Sequence, residues 1–116
     1  MRTSLFYFSG TGNSLYVARR IAEALGGPEA APIAREVKKA AIRVESETVG
    51  IVTPLYFAGW PAMVRDFLER ADFPAAEYVF LVYTAGEPFL ESITGQVGRA
   101  MKRKGLRLDA SRAYSA

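Results

Sequence analysis

A short loop of glycine and hydroxyl residues joins an apolar strand to an amphipathic helix near the start of this chain. The strand is Leu5-Phe6-Tyr7-Phe8, and its continuous apolar character is typical of a parallel strand buried on both faces. The helix is predicted from apolar residues at helical spacing, which are Leu15, Ala18, Ile21, Ala22 and Leu25. This order of strand, loop and helix indicates an α/β fold, in which helices cover the faces of a parallel sheet.

The same alternation continues along the chain. Further strands are predicted over residues 31–34, 49–54, 78–84 and 106–114. A polar stretch at 36–44 is helical or irregular, and clearer helices run over 61–71 and 89–104. The residues expected to face the core are Val64, Phe67, Leu68 and Ala71 in the first of these helices, and Leu90, Ile93, Val97, Ala100 and Met101 in the second. The pattern predicts a three-layer, doubly wound, five-stranded parallel sheet in the order 2-1-3-4-5.

Length and composition exclude several classes of protein. At 116 residues the chain is expected to form one domain over residues 1–116. The sequence has no cysteine and no histidine, which excludes disulfides, cysteine-ligated zinc or iron–sulfur sites and the commonest general base. No apolar run reaches the roughly 20 residues of a membrane span, and the N-terminal apolar run is too short for a secretion signal. We therefore expect a cytoplasmic protein whose redox chemistry comes from a bound organic cofactor.

Charge is distributed unevenly along the sequence. Residues 1–98 carry nine basic and eleven acidic side chains, whereas six basic residues and one acidic residue follow from Arg99 onward. The basic residues of this end are Arg99, Lys102, Arg103, Lys104, Arg107 and Arg112. Such a cluster suits an acidic partner or a nucleic acid, but it equally suits a solvated helix end whose cations complement the helix dipole. We favour the solvated helix end and expect no nucleic-acid binding.

The first loop has the chemistry of an anion site. Its residues, Ser9-Gly10-Thr11-Gly12-Asn13-Ser14, open onto a helix N-terminus, where unpaired N–H groups and the helix dipole attract an anion. A nucleoside-triphosphate loop would need a lysine, a dinucleotide fingerprint would need glycine in place of Leu15, and a phosphatase loop would need a cysteine. Two interpretations remain. One is a monophosphate site made of main-chain N–H groups and the hydroxyls of Ser9, Thr11 and Ser14; the other is a tight turn without a ligand.

This loop resembles the FMN-phosphate loop of the flavodoxin family, whose pattern is Ser/Thr-x-Thr-Gly-Asn-Ser/Thr. Every defined position of that pattern is matched. With the preceding Tyr7 and Phe8, the loop is similar to that of flavodoxin-like domains fused to small iron–sulfur domains in some bacteria and archaea. The resemblance implies an FMN cofactor whose phosphate is bound by Ser9, Gly10, Thr11, Gly12, Asn13 and Ser14.

A second loop concentrates aromatic residues after the third predicted strand. Its sequence is Pro54-Leu55-Tyr56-Phe57-Ala58-Gly59-Trp60-Pro61, and a planar ring stacked on these aromatics would explain their presence in a turn. In flavodoxin-like domains a similar loop flanks the isoalloxazine ring. The resemblance implies that Tyr56, Phe57 and Trp60 enclose the ring and that Ala58-Gly59 is a redox-responsive peptide, with Pro54 part of the same site. Alternatively, the aromatics pack on their own sheet or form a protein interface.

A third loop, Thr84-Ala85-Gly86, follows the fourth predicted strand. Its small residues let the main chain approach a ring closely and donate N–H groups to the ring's polar edge. In the order 2-1-3-4-5, the carboxyl ends of strands 1, 3 and 4 meet at one edge, at the switch point where ligands bind in such sheets. We therefore expect the three loops to form one FMN site, with no catalytic residue and no metal.

The function expected from this resemblance is that of an FMN-binding electron carrier between redox proteins, such as a ferredoxin-type protein or a reductase. One alternative is an NAD(P)H-dependent FMN quinone or flavin reductase of the same fold. Another is a flavin-free protein-interaction module. Flavodoxins usually end in a helix that this sequence lacks after the fifth strand. The resemblance therefore implies a truncated domain, or a dimer or adjoining domain that covers the exposed sheet face. No membrane binding is expected.

Overall fold

Strands and helices alternate in the computed structural model, which describes residues 2–8, 13–27, 29–54, 62–84, 98–99, 101–103, 105–106 and 108–113. The elements are β1 (Thr3–Tyr7), α1 (Asn13–Ala24), β2 (Ala30–Pro32), α2 (Ile33–Glu36), β3 (Thr48–Pro54), α3 (Ala62–Arg70), β4 (Tyr78–Thr84) and β5 (Ala110–Ala113). Residues 98–99 and 101–103 are also helical. The expected alternation of strands and helices is confirmed.

The five strands form one parallel sheet in the order β2-β1-β3-β4-β5, as the sequence predicts. The register places Leu5 of β1 opposite both Ala30 of β2 and Gly50 of β3, and Gly50 lies opposite Phe80 of β4. Two hydrogen bonds attach the start of β5 to β4, because the Asp109 N–H donates to the Val79 carbonyl and the Asp109 carboxylate accepts from the Val79 N–H, both at 2.8 Å. The doubly wound architecture is therefore confirmed.

The side chains of successive strand residues enter two separate cores, one on each face of the sheet. The larger core lies under α2, α3 and the helical residues 98–99 and 101–103, and it includes Phe6, Ile51 and Leu81. The smaller core lies under α1 and includes Leu5 and Val52. Because the neighbours Leu5 and Phe6 enter opposite cores, both must be apolar, which explains the unbroken hydrophobic run Leu5-Phe6-Tyr7-Phe8.

The α1 face of β4 is less completely covered than its other face. Val79, Leu81 and Tyr83 are at most 2% exposed on the larger core, whereas Tyr78 on the α1 face is 44% exposed. Phe80 and Val82, on that same face, are only partly buried against the smaller core. A dimer or adjoining domain over this face, and the absence of a helix after β5, stay predictions.

Several expected boundaries were wrong. The second strand ends at Pro32 rather than at residue 34, because Ile33 begins α2 and buries its side chain completely. The expectation that the polar stretch 36–44 is helical or irregular is confirmed, because it is mainly turns, with Arg43 in an isolated parallel bridge with Asp72. The last strand is limited to Ala110–Ala113. Leu25 is 49% exposed, because it follows the last residue of α1, and Val17 is buried in the core instead.

Glycine turns follow two helical segments. At the end of α1, the Gly26 N–H donates to the Glu23 carbonyl at 3.2 Å and the Gly27 N–H donates to the Ala22 carbonyl at 2.9 Å. Gly26 has a φ of 87°, and Gly105, which follows the helical residues 101–103, has a φ of 75°. A side chain is strained at such angles, so glycine is the residue that lets the main chain turn back toward the next strand.

We predict that Gly50→Ala destabilises the fold by about 1–3 kcal/mol through overpacking of a closed site. A Cβ at Gly50 would lie 2.6 Å from Cε2 of Phe80 and 2.8 Å from Cδ1 of Leu5, and it would also collide with Cζ of Phe80. Urea unfolding measures the effect. The double variant Gly50→Ala/Phe80→Ala removes the colliding ring. Its loss of free energy of unfolding should therefore be smaller than the sum of the losses of the two single variants. If the losses of the two single variants simply add in the double variant, Gly50→Ala does not act through a collision with Phe80.

Candidate functional site

The carboxyl ends of β1, β3 and β4 lie side by side at one edge of the sheet. Tyr7 at the end of β1 is opposite Val52, which is opposite Val82, while Pro54 and Thr84 end their strands opposite each other. Neighbouring strands are about 4.8 Å apart, so the three strand ends fall within about 10 Å of one another. The first, second and third loops each leave this edge. The sequence expectation that the loops begin at a common place is therefore met by the register.

The strand ends that carry the loops are anchored by hydrogen bonds. The Phe8 N–H donates to the Val52 carbonyl at 2.9 Å, which extends the pairing of β1 with β3 by one residue. The side chain of Phe8 packs partly buried against the larger core. At the end of β3, the Thr53 hydroxyl donates to the Pro54 carbonyl at 3.1 Å, and Thr53 is 1% exposed. These contacts fix where the first and second loops begin.

Helix α1 begins at Asn13 and has its N-terminus at this edge. Only residues 9–12 separate it from Phe8. Its first turn contains no acidic residue, although acidic side chains are favourable at that position of a helix. The unpaired N–H groups of the first turn are thus not occupied by a carboxylate of that turn. Unpaired N–H groups at a helix N-terminus are the donors that a phosphate group needs, so the start of α1 is consistent with the monophosphate interpretation of the loop.

Most of the residues that the sequence assigns to the site lie outside the described residues, and no geometry is assigned to them. These are Ser9, Gly10, Thr11, Gly12, Tyr56, Phe57, Ala58, Gly59, Trp60, Ala85 and Gly86. Of the others, Asn13 and Ser14 are the first two residues of α1, Pro54 is the last of β3 and Thr84 is the last of β4. The structure therefore shows the strand ends and the helix start that border the candidate site, and the roles of the loop residues stay predictions.

Sequence reasoning did not single out Phe8 and Thr53 as residues that support the site. Phe8 reads as a strand residue, yet it lies just beyond β1 and holds the start of the first loop. Thr53 interrupts an apolar strand immediately before a proline, and this buried hydroxyl was the signal that could have indicated a hydrogen bond at the strand end. Phe8 donates its main-chain N–H and Thr53 donates its hydroxyl to a main-chain carbonyl, so both bonds hold the main chain where a loop begins.

A cavity of about 580 Å³ opens at the opposite edge of the sheet, far from the three loops. It exists because β2 begins only at Ala30, opposite Leu5, so Thr3 and Ser4 pair with β3 on one side and have no β2 residue on the other. The hydroxyls of Ser4 and Ser46, which line the cavity, are 2.6 Å apart and bond to each other. No buried side-chain nitrogen or oxygen among the described residues lacks a hydrogen-bond partner. The cavity therefore offers no unpaired buried side-chain atom that would indicate a ligand.

The described residues contain no group of acidic side chains that could hold a metal ion, and no helix among them is long and apolar enough to cross a membrane. What remains at the carboxyl edge is a set of main-chain ends, a helix N-terminus and loops rich in glycine, hydroxyl and aromatic residues. Such an edge can bind a phosphorylated, planar organic molecule at the switch point of a doubly wound sheet. The fold defines a doubly wound α/β protein with its candidate site at the carboxyl edge of the sheet.

Comparison with known proteins narrows this class to one family. The sequence model described as the flavodoxin domain matches residues 4–109. The chain therefore belongs to the flavodoxin domain family. No curated protein sequence matches it at a significant level.

Solved structures share the fold at low sequence identity. A protein of Bacteroides uniformis assigned as a flavoprotein is 19% identical with a TM-score of 0.76, and the match covers 99% of this chain and 90% of that one. A Streptococcus pneumoniae flavodoxin is 14% identical with a TM-score of 0.66, covering 97% and 83%. The Trp repressor binding protein from Bacillus subtilis is 10% identical with a TM-score of 0.67, covering 99% and 85%. At these identities the structures support the flavodoxin-like fold alone.

Proposed function

We propose that this protein binds FMN at the carboxyl edge of its sheet and carries electrons between redox proteins. The observation that carries the proposal is the register, which brings the ends of β1, β3 and β4 together beside the N-terminus of α1. The flavodoxin-type loop Ser9–Ser14 stands between β1 and that helix in the sequence. Membership of the flavodoxin domain family supports a flavin as the ligand.

When bound, FMN supplies the chemistry of one- and two-electron transfer, and the protein supplies binding and orientation. In this proposal the FMN phosphate is bound by Ser9, Gly10, Thr11, Gly12, Asn13 and Ser14. The ring is enclosed by Pro54, Tyr56, Phe57 and Trp60. Its polar edge is addressed by the main chain of Ala58, Gly59, Thr84, Ala85 and Gly86. Phe8 and Thr53 hold the bases of the first two loops through the main-chain hydrogen bonds described above.

The proposal is tested by adding FMN to the purified protein and following the visible absorbance and the flavin fluorescence. We expect saturable binding at a ratio of one FMN per chain, with fluorescence quenched because the ring stacks on aromatic side chains. Riboflavin, which has the ring and ribityl chain but no phosphate, is the matched control and should bind more weakly by at least about tenfold, through loss of the charged hydrogen bonds. Absence of any FMN binding would overturn the proposal.

The same FMN-loaded sample distinguishes an electron-transfer protein from an NAD(P)H-dependent reductase. We expect a bound flavin to accept electrons from a reduced ferredoxin-type protein and to remain oxidised when NADPH alone is added. Rapid bleaching of the flavin absorbance by NADPH would contradict the carrier proposal and would identify the alternative, an NAD(P)H-dependent reductase.

A further inference from the structure

The pairing of β1 with β3 can be followed to the residue that precedes the first loop. Near the start of the two strands, the Thr48 N–H donates to the Arg2 carbonyl at 3.1 Å, and at their end the Phe8 N–H donates to the Val52 carbonyl at 2.9 Å. In a parallel ladder the main-chain groups of successive residues point alternately to the two neighbouring strands. The even-numbered residues of β1 and β3 therefore point their main-chain groups toward each other.

One further step of this ladder would use both main-chain groups of residue 54. By the same alternation, an N–H at residue 54 would donate to the Phe8 carbonyl, and the carbonyl of residue 54 would accept from the N–H of residue 10. The first bond cannot form, because residue 54 is proline and has no N–H. Residue 10 is Gly10 of the first loop, which lies outside the described residues.

The Thr53 hydroxyl occupies the other main-chain group of residue 54. It donates to the Pro54 carbonyl at 3.1 Å, and Thr53 is 1% exposed, so water has little access to this hydroxyl. A carbonyl can accept two hydrogen bonds, so the hydroxyl weakens the demand of this carbonyl for a ladder donor and does not abolish it. The dipeptide Thr53-Pro54 thus acts on both groups that would continue the ladder, since the proline ring removes the donor and the hydroxyl engages the acceptor.

This effect is confined to the β1 side of β3. On the other side, the register with β4 continues to the pair of Pro54 with Thr84, whereas the last pair of the β1 register is Tyr7 with Val52. Proline is compatible with the β4 side, because the main-chain groups that face β4 belong to Thr53 and to residue 55. Among the described residues, the carboxyl end of β3 therefore stays in the sheet through β4, at the switch point where ligands bind in such sheets.

We propose that Thr53 and Pro54 are positioning residues that end the β1–β3 ladder and thereby leave the main-chain N–H groups of the first loop available to the phosphate of FMN. This inference rests on the proposed function, because it concerns how the same site is built. A continued ladder would commit a loop N–H to β3 and would hold the chain along β3 instead of letting it turn to α1, which begins at Asn13. The expected consequence is specific to the phosphate of the ligand.

Thr53→Val tests this specificity, because it removes the hydroxyl and keeps a β-branched side chain. The affinities for FMN and riboflavin are measured side by side. We expect the ratio of the two affinities to fall by about three- to tenfold, the range for loss of one hydrogen bond, while the riboflavin affinity stays within about twofold. Thr53→Ser keeps the hydroxyl and should restore the ratio to within about twofold of that of the unsubstituted protein. An unchanged ratio in Thr53→Val, including equal weakening of both ligands, would overturn the proposal.

Thr3→Val is the matched control. It makes the same chemical change on a partly buried threonine at the start of β1, at the amino edge of the sheet and away from the three loops. We expect the ratio of FMN to riboflavin affinity to stay within about twofold. A fall as large as that in Thr53→Val would mean that loss of any threonine hydroxyl from the sheet has this effect, and it would overturn a local role for Thr53.

Amide hydrogen exchange in the protein without FMN tests the end of the ladder directly. Thr53→Val/Pro54→Ala supplies an N–H at residue 54 and frees its carbonyl, so the ladder can continue. We expect exchange of the Gly10 amide to slow by about three- to tenfold relative to the unsubstituted protein, and unchanged exchange at Gly10 would overturn the proposal. A protein that binds no FMN fails the proposed function, whereas amide exchange still reports whether Thr53 and Pro54 end the ladder.

Discussion

Thr11→Asp is expected to abolish FMN binding in practical terms, with affinity reduced by about a hundredfold or more. A carboxylate about 5 Å from a phosphate charge opposes binding by about 3 kcal/mol at an effective dielectric constant of about 20, and a dianion is repelled more strongly. Every 1.4 kcal/mol corresponds to a factor of about ten in the dissociation constant. Fluorescence titration with FMN measures the change directly.

Two control variants isolate the charge. Thr11→Asn has the same shape as the aspartate without its charge, so the ratio of the two affinities reports electrostatic repulsion alone. Ala40→Asp adds the same charge at an exposed turn away from the strand ends and should leave FMN affinity within about twofold, because the charge is screened by solvent. If Thr11→Asp and Thr11→Asn bind FMN equally well, the phosphate does not lie at this loop.

Phe67→Ala is expected to lower the free energy of unfolding by about 3–5 kcal/mol, the range for deleting a buried aromatic ring. Phe67 is fully buried on the inner face of α3. Its ring centroid lies 4.9 Å from that of Phe6 on β1 and 6.3 Å from that of Phe73, which precedes β4. The truncated side chain would leave a cavity among three elements that cannot all move inward together. Urea unfolding followed by circular dichroism gives the change in midpoint and slope.

Met63→Ala is the matched control for this prediction. It truncates a side chain on the same helix, but Met63 is 36% exposed and should cost no more than about 1 kcal/mol. Both variants change helix propensity in the same favourable direction, so the difference between them reports packing. A loss for Phe67→Ala as small as that for Met63→Ala would show that the ring is not a central contact of the larger core.

Strand and helix identity was predictable where the sequence is strongly apolar. Residues 78–84 form β4 over the predicted range, and Val64, Phe67, Leu68 and Ala71 are buried as their helical spacing predicts. Prediction failed where local sequence is ambiguous. Pro32 and Ile33 read equally well as the middle of a strand, but Pro32 ends β2 and Ile33 enters the larger core from α2. That choice depends on contacts with distant residues, which no local pattern contains.

The candidate site divides in the same way. Its residue types were visible in the sequence, since the flavodoxin-type loop is a continuous motif and the family assignment confirms the resemblance. The supporting hydrogen bonds of Phe8 and Thr53 were not visible, because they depend on which strands are neighbours. The shared position of Glu29, Glu45, Glu77 and Asp109 before the strands was also hidden, since they are far apart in the chain and share an edge only through the parallel sheet.

The sequence by itself determined the α/β class and the strand order, because these follow from short-range periodicity, glycine placement and the direction of parallel crossovers. The phosphate chemistry of the first loop stays a prediction. Only the tertiary structure decided how each strand divides its side chains between two cores. It also decided where β2 and β5 begin and end, and which charged residues lie beside the strand ends. The physical reason is that burial and electrostatic proximity are properties of residues distant in the chain, and they exist only once the strands are paired in register.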